Sequence, residues 1–382
     1  MKLLWAAGLA GIGNVYGYSS YERNLKAALI AAGVEIVESL DDPFDIAVHI
    51  ITPNKFRPIP GAKNLLSTMF EMTSLPDEWV TPLQGADIIV VPCKQNQNLF
   101  RQYYKGPVEI CRLGIDPSVF TYKARRFPAE GEPFRFLWVG APNPRKGYNT
   151  LRAVWPAWLR TEKMPKNVQL YMKTTGTTES AVVNFKMAYV QRNGKMLASF
   201  VDYRELPEGS PELPNVVIDS RDIPIEDLVE LYHSAHAFIL PSTGEGWGLT
   251  LTEAMATGLP CIWTHWGGPR DFSDEKIGFP LTQLSFVPVA MAEPHKKDNG
   301  DTEMIITHKS YSAVSGVTGT FDKNGEPWVN TDGKEIIRRC EQIYHGYDRA
   351  LSMGKKASER MHGKYKWSDA AAEFIAICER YA

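Results

Sequence analysis

Short apolar runs alternate with amphipathic stretches along most of this chain. Leu3–Ala7 reads as a strand, Tyr21–Ala32 as a helix, Val34–Val37 as a strand, and Ile46–Ile51 as a further apolar stretch. Ala86–Val91 has the continuous apolar character of a strand covered on both faces, and Gln95–Tyr104 reads as the helix after it. The pattern then breaks. Lys123 to Pro133 is charged, contains proline and lacks an apolar period, so it reads as a linker between domains. The alternation restarts with strand Phe134–Val139, helix Thr150–Leu159 and strands Val168–Lys173 and Val216–Ile218. Helix Ile225–Ser234, strand Ala237–Leu240, helix Leu249–Thr257 and strand Cys261–Trp263 complete it. Leu281–Val329 is rich in Pro, Gly and Thr and reads as irregular, whereas Lys334–Ala382 is strongly helical. Such alternation of strand-like and helix-like segments predicts an α/β protein with parallel, doubly wound sheets.

Composition narrows this picture. A chain of 382 residues is long for one domain and fits two. Its 44% hydrophobic and 23% charged residues are those of a globular protein in water. A net charge of −2 supplies no global field for nucleic acid or anionic lipid. The local groups Lys123, Arg125, Arg126 and Lys355, Lys356 read as solvated surface. Five scattered cysteines with no C-x-x-C pair fit a reducing cytoplasm and point to neither metal nor redox chemistry. The apolar start reads as a first strand entering a glycine turn rather than a signal peptide, and no run is long enough for an integral membrane segment.

The candidate chemistry is concentrated in the run from Pro241 to Pro260. Glu245 and Glu253 bracket it, with Gly246 and Gly248 between them. The strand Ala237–Leu240 precedes it, and Gly258 with Pro260 ends the helix. The glycines therefore fall in a strand-to-helix turn, where bare amides meet the positive end of a helix dipole. That arrangement suits phosphate. Glu245 stands before the helix and Glu253 about one turn inside it, so both can line a crevice at the carboxyl ends of parallel strands. Phosphate flanked by carboxylates, which accept bonds from hydroxyls, suits a sugar nucleotide. The plainer alternative is a helix cap beside a solvated glutamate.

This run resembles the signature of retaining GT-B glycosyltransferases, specifically glycosyltransferase family four, Glu-Gly-[Phe/Trp]-Gly-Leu-x-x-x-Glu-Ala-Met-Ala-x-Gly-x-Pro followed by a Gly-Gly loop. Here that loop is Thr264–Arg270. Phe136–Gly147 is similar to the family's first strand and loop of the C-terminal domain, Gly114–Phe120 to the close of its N-terminal domain, and Trp367–Phe374 to its last helix. The resemblance implies two facing Rossmann-like domains: residues 1–128 for the acceptor, 129–362 for the nucleotide sugar, and a helix 363–382 crossing back to the first. It implies that Lys146 offsets charge on the leaving diphosphate and that Glu245 reaches the donor sugar. Glu253 would take the ribose hydroxyls, and the amides of Gly246, Trp247, Gly248 and Leu249 would bind phosphate or sugar oxygens. Gly13 would let the first loop close over the diphosphate. Arg221 stands where the family's chain passes the base, although a surface role fits it equally. The family places an arginine directly after the strand's glycine, where this chain has Ala141; Arg145 or Lys173 could substitute. Of these two, Lys173, at a strand end, is expected to face the ligand and Arg145 the solvent. His49 and Glu71 are read as buried or capping, although either could face the cleft.

The expectation is a retaining glycosyltransferase needing neither metal nor cofactor, with a nucleoside diphosphate sugar as co-substrate. No Asp-x-Asp stands in a cleft-like context. The resemblance implies that the acceptor, whether glycan, lipid, nucleic acid or small molecule, would be bound by variable N-terminal loops, here Asn54–Leu75. Two rivals stay open. Gly8, Gly11 and Gly13 with Glu35 or Glu38 form a weak dinucleotide fingerprint, which suits an NAD(P)-dependent oxidoreductase. The missing arginine at Ala141 suits a non-catalytic module that binds a sugar nucleotide or glycan.

Overall fold

A computed structural model describes residues 1–6, 16–142, 144–161, 163–174, 191–192, 195–196, 200–202, 216–296, 302–315, 317–321, 327–331 and 333–382. The first sheet contains β1 (Lys2–Trp5), β2 (Glu35–Val37), β3 (Ile46–Ile50), β4 (Asn64–Ser67), β5 (Ile88–Val91) and β6 (Val108–Ile110). All pairs are parallel, in the order β2-β1-β3-β4-β5-β6. Every residue of β3, β4 and β5 is buried, as a strand covered by helices on both faces requires. Helices α1 (Tyr16–Ala31), α2 (Asp77–Leu83) and α3 (Lys94–Phe100) connect these strands.

The second sheet contains β7 (Phe134–Val139), β8 (Val168–Lys173), β11 (Phe200–Asp202), β12 (Val216–Asp219), β13 (Ala237–Leu240), β14 (Cys261–Thr264) and β15 (Phe279–Leu281). Between β8 and β11 lies a two-residue ladder, β9 (Gln191–Arg192) with β10 (Lys195–Met196). The sheet order is β11-β12-β8-β7-β13-β14-β15, again all parallel. The chain winds from β7 outward through β8 to the edge strand β11, comes back one place to β12, and then crosses to the other side of β7 with β13. Strand order therefore reverses between β7 and β13, and ligands of such sheets bind in the crevice at that reversal. Helices α4 (Tyr148–Arg160), α5 (Ile225–Ser234), α6 (Leu249–Ala256) and the short α7 (Pro269–Phe272) flank this sheet.

The expected linker behaves differently from its reading as solvated surface at one position. Lys123 and Arg126 are exposed, but the Arg125 guanidinium donates to Tyr232 O at 3.0 Å, Ala235 O at 3.1 Å and Thr257 O at 2.6 Å. These carbonyls close the C-terminal ends of α5 and α6, where a cation satisfies orphan acceptors and the dipole together. Burial lowers its pKa to about 10, so it stays charged at neutral pH. Arg125→Met is expected to cost about 2–3 kcal/mol, because buried carbonyls lose their donors; chemical denaturation reads this, and an unchanged midpoint would show that water replaces the guanidinium.

The C-terminal segment forms α8 (Lys334–His345), α9 (Tyr347–Lys364) and α10 (Trp367–Tyr381). The last packs against the first sheet's domain. Ile115 N donates to Tyr365 O at 2.7 Å, Trp367 N to Ile115 O at 3.2 Å, and Arg112 N to the Glu373 carboxylate at 2.9 Å. The stretch read as irregular is a pair of antiparallel hairpins: β16 (Leu284–Lys296) with β17 (Thr302–Ser315), and β18 (Val317–Phe321) with β19 (Pro327–Thr331). Pro288 and Pro294 interrupt the polar–apolar period there. A two-stranded ribbon tolerates them because each strand has an outer edge that needs no N–H. None of the described helices is long and apolar enough to cross a membrane.

Candidate active site

The loops after β7 and β13 meet at the reversal point. The first turns sharply through Pro144–Lys146 into α4, with Gly147 at a left-handed φ of 78° and its Cα against Pro241 O, where a side chain would clash. The Trp138 indole donates to Lys146 O at 3.0 Å and fixes the backbone. The Lys146 ammonium then donates to both Glu245 oxygens, at 2.8 and 2.9 Å. Glu245 is 4% exposed. Its backbone carbonyl accepts Gly268 N at 2.9 Å, which ties the Gly-Gly loop to this turn.

Arg145 does not point to solvent. Its guanidinium donates to Gly244 O at 3.0 Å and lies 3.3 Å from Glu71 and 3.6 Å from Glu245. Burial works against its charge, but the two carboxylates outweigh that and hold its pKa above the ordinary value. Glu71 comes from the first domain, so this ion pair spans the cleft. Two glycines permit the approach: a Cβ on Gly244 would lie 2.5 Å from Glu71 O, and one on Gly246 would lie 2.8 Å from Met69 Sδ. The Tyr18 hydroxyl, accepting Met69 N at 3.0 Å, holds that opposing segment.

Gly248 begins α6 with a φ of 104°, a left-handed value that favours glycine. The amides of Leu249 and Thr250 have no acceptor within the helix. Trp247 offers the site only its backbone; its ring is buried between Phe272, at 4.9 Å, and Tyr365, at 5.9 Å. One turn into α6, Glu253 accepts the Tyr232 hydroxyl at 2.9 Å. Burial raises its carboxyl to about 7, against the opposing pull of Tyr232 and Lys146.

Lys173 and Arg221 form a separate cluster. Lys173 was expected at the sheet rim facing ligand; it is 3% exposed, and its ammonium donates to Thr174 O at 2.9 Å, Asp219 O at 3.4 Å and Arg221 O. A buried ammonium needs such acceptors, so this one is committed to its own domain. Arg221 grips the buried Asp219 carboxylate through Nε and Nη2, both at 3.0 Å. Tyr171 donates to the same carboxylate at 2.9 Å. Burial pushes Asp219 up, but Arg221 foremost among its partners holds it below the usual carboxylate range.

Gly13 lies outside the described residues. His49 is buried in β3 with Nε2 3.0 Å from Asn64 Oδ1, and burial lowers its pKa. Among the described residues, no three His, Cys, Asp or Glu side chains gather as a metal site. The partners that sequence reasoning missed are Tyr232 and the Glu71–Arg145 contact. Both join residues far apart in the chain, and no local spacing marks them.

Residues 212–284, which hold β12 to β15 and α6, match the family of glycosyl transferases group 1. Over 187 residues the chain is 25% identical to glycogen synthase of Mycobacterium tuberculosis, an alignment covering 48% of this chain and 39% of the synthase. Sucrose-phosphate synthase from Thermosynechococcus elongatus superposes with a TM-score of 0.62 at 15% identity, over 99% of this chain and 98% of that one. Anabaena HepE, solved with UDP and glucose, superposes at 0.60 with 10% identity over 99% of both chains. The architecture is the GT-B fold, two parallel α/β domains facing one another.

Proposed function

We propose that this chain, in which a glycosyl transferases group 1 segment stands at the reversal point of a GT-B fold, moves a sugar from a nucleoside diphosphate sugar to an acceptor hydroxyl. The observation that carries this reading is the Lys146–Glu245 pair beside the N-terminus of α6, with Glu253 one turn in. Amides and the helix dipole suit the diphosphate. Lys146 supplies a preorganised positive charge where the leaving group becomes more negative. Glu253 accepts the ribose hydroxyls and Glu245 those of the sugar.

Retention of anomeric configuration and independence from metal are part of the proposal. Glu245 is engaged through both oxygens by Lys146, which suits hydrogen bonding better than attack on carbon. The acceptor oxygen would attack from the side of the departing phosphate, whose oxygen takes the acceptor's proton. Lys146 would do electrostatically what a metal ion does elsewhere. The acceptor, a glycan, lipid, nucleic acid or small molecule, would meet the loops of the first domain. All five cysteines are free and buried, which fits the reducing cytoplasm we propose as its compartment.

HepE is solved with UDP and glucose, so UDP-sugars are the first donors to try. A thermal-shift panel of UDP-, GDP-, ADP- and TDP-sugars is expected to show stabilisation by one nucleotide class. Glu253→Gln should weaken that nucleotide about tenfold, the worth of a charge-assisted hydrogen bond. Turnover of the stabilising donor should survive EDTA. Binding without turnover would favour a non-catalytic module; stabilisation by NAD(H), run beside the panel, with none by any sugar nucleotide would favour an oxidoreductase.

A further inference from the structure

We propose that Tyr232 is a positioning residue for the donor site, holding Glu253 in the orientation and charge state that receive the ribose hydroxyls. This rests on the donor-site reading above. Tyr232 is fully buried in α5, with its ring against Phe238 at 6.0 Å and Phe120 at 6.1 Å. Packing fixes the ring, and the hydroxyl is left between two acceptors: Glu253 Oε2 at 2.9 Å and Thr250 O at 3.4 Å. It has one proton to give. With Glu253 ionised, that proton goes to the nearer carboxylate as a charge-assisted bond. With Glu253 protonated, the carboxyl can donate to the phenol oxygen while the phenol turns to Thr250 O. Both charge states are thus satisfied, and the ionised one more strongly.

The backbone behind the ring is fixed as well. Arg125 holds Tyr232 O and Thr257 O together, so α5, which carries the phenol, is clamped to α6, which carries the carboxylate. Among the described residues, the titratable groups that act on Glu253 are Tyr232 from α5 and Lys146 from the loop after β7. On another side α9 packs against α6 through Gly354, beneath Gly258 O, and through Ser358, which donates to Ala256 O at 2.6 Å. Burial leaves the carboxyl about half protonated near pH 7, whereas ribose hydroxyls bind the ionised form better. Nucleotide binding therefore expels a proton, and affinity rises as pH climbs through about 7. Tyr232 eases that step.

The test titrates UDP, GDP, ADP and TDP calorimetrically against the parent, Tyr232→Phe, Glu253→Gln and the double variant between pH 6 and 9. Phenylalanine keeps the ring packing, and the thermal midpoint reports whether the fold is intact. For the diphosphate that binds the parent best, Tyr232→Phe should move the pH midpoint of affinity up by about one unit. That makes binding about fivefold weaker at pH 7 and close to tenfold weaker at pH 6, a gap that closes towards pH 9. In the Glu253→Gln background the same change should alter affinity less than twofold. An unmoved midpoint, or equal weakening with and without Glu253, overturns the positioning role. Parent-like binding by Glu253→Gln at every pH overturns the donor-site reading itself, and this inference with it.

Discussion

Replacing Lys146 by alanine is expected to lower the transfer rate about 10²–10³-fold, the typical effect of removing one preorganised charge from a developing anion. The ammonium stands beside the N-terminus of α6, and its approach is fixed from below by the Trp138 bond to Lys146 O, which alanine retains. The loop should therefore stay in place. The effect on stability is not zero, however. Glu245 is 4% exposed, and without Lys146 its nearest cation is Arg145 at 3.6 Å. A buried carboxylate that loses its partner raises the free energy of the folded state. Lys146→Ala should thus unfold somewhat earlier, and adding Glu245→Gln should restore the thermal midpoint without restoring turnover. Steady-state rates with the donor that stabilises the parent, beside thermal midpoints, separate the two effects. A fully active Lys146→Ala protein would refute the role given to this lysine.

Much of this site is legible in the sequence, because its parts lie on consecutive elements. β13, the turn carrying Glu245 and the helix carrying Glu253 follow one another within twenty residues. The apolar run Ala237–Leu240 is legible because all four residues are buried. Gly248 is legible because a left-handed helix start favours glycine. What escaped has a common physical cause. β4 opens on Asn64, whose side chain does local backbone work, accepting Ile59 N at 2.8 Å and donating to Ala62 O at 2.9 Å. Such a polar residue hides a buried strand from a hydrophobicity pattern. β6 is a three-residue edge strand, too short for any period. The Trp247 ring is turned away from the ligand crevice by aromatics on α7 and before α10, a packing fact that no local window contains. The contact between Arg145 and Glu71 joins the two domains, and only the closure of one on the other brings them together.

That contact reverses the order expected of the two candidate substitutes for the absent arginine at Ala141. Arg145→Ala is now expected to cost more activity than Lys173→Ala, and Lys173→Ala more stability. Arg145 shares Glu245 with Lys146, so a diphosphate entering beside Lys146 comes within reach of a second cation that only needs to exchange carboxylates for phosphate. A planar guanidinium is suited to that exchange, because it can keep Gly244 O with one nitrogen and offer others to phosphate. Losing such a charge-assisted bond lowers the rate about tenfold to a hundredfold. Lys173 has no comparable freedom. Its ammonium satisfies carbonyls of Thr174, Asp219 and Arg221, and alanine there would strand buried acceptors at a cost of about 2–3 kcal/mol. The Asp219 carboxylate would keep Arg221 and Tyr171, so the cluster should loosen rather than collapse. Rates and unfolding midpoints of the two alanine variants decide between the assignments. An inactive Lys173→Ala protein of undiminished stability, beside a fully active Arg145→Ala, would return the second charge to Lys173.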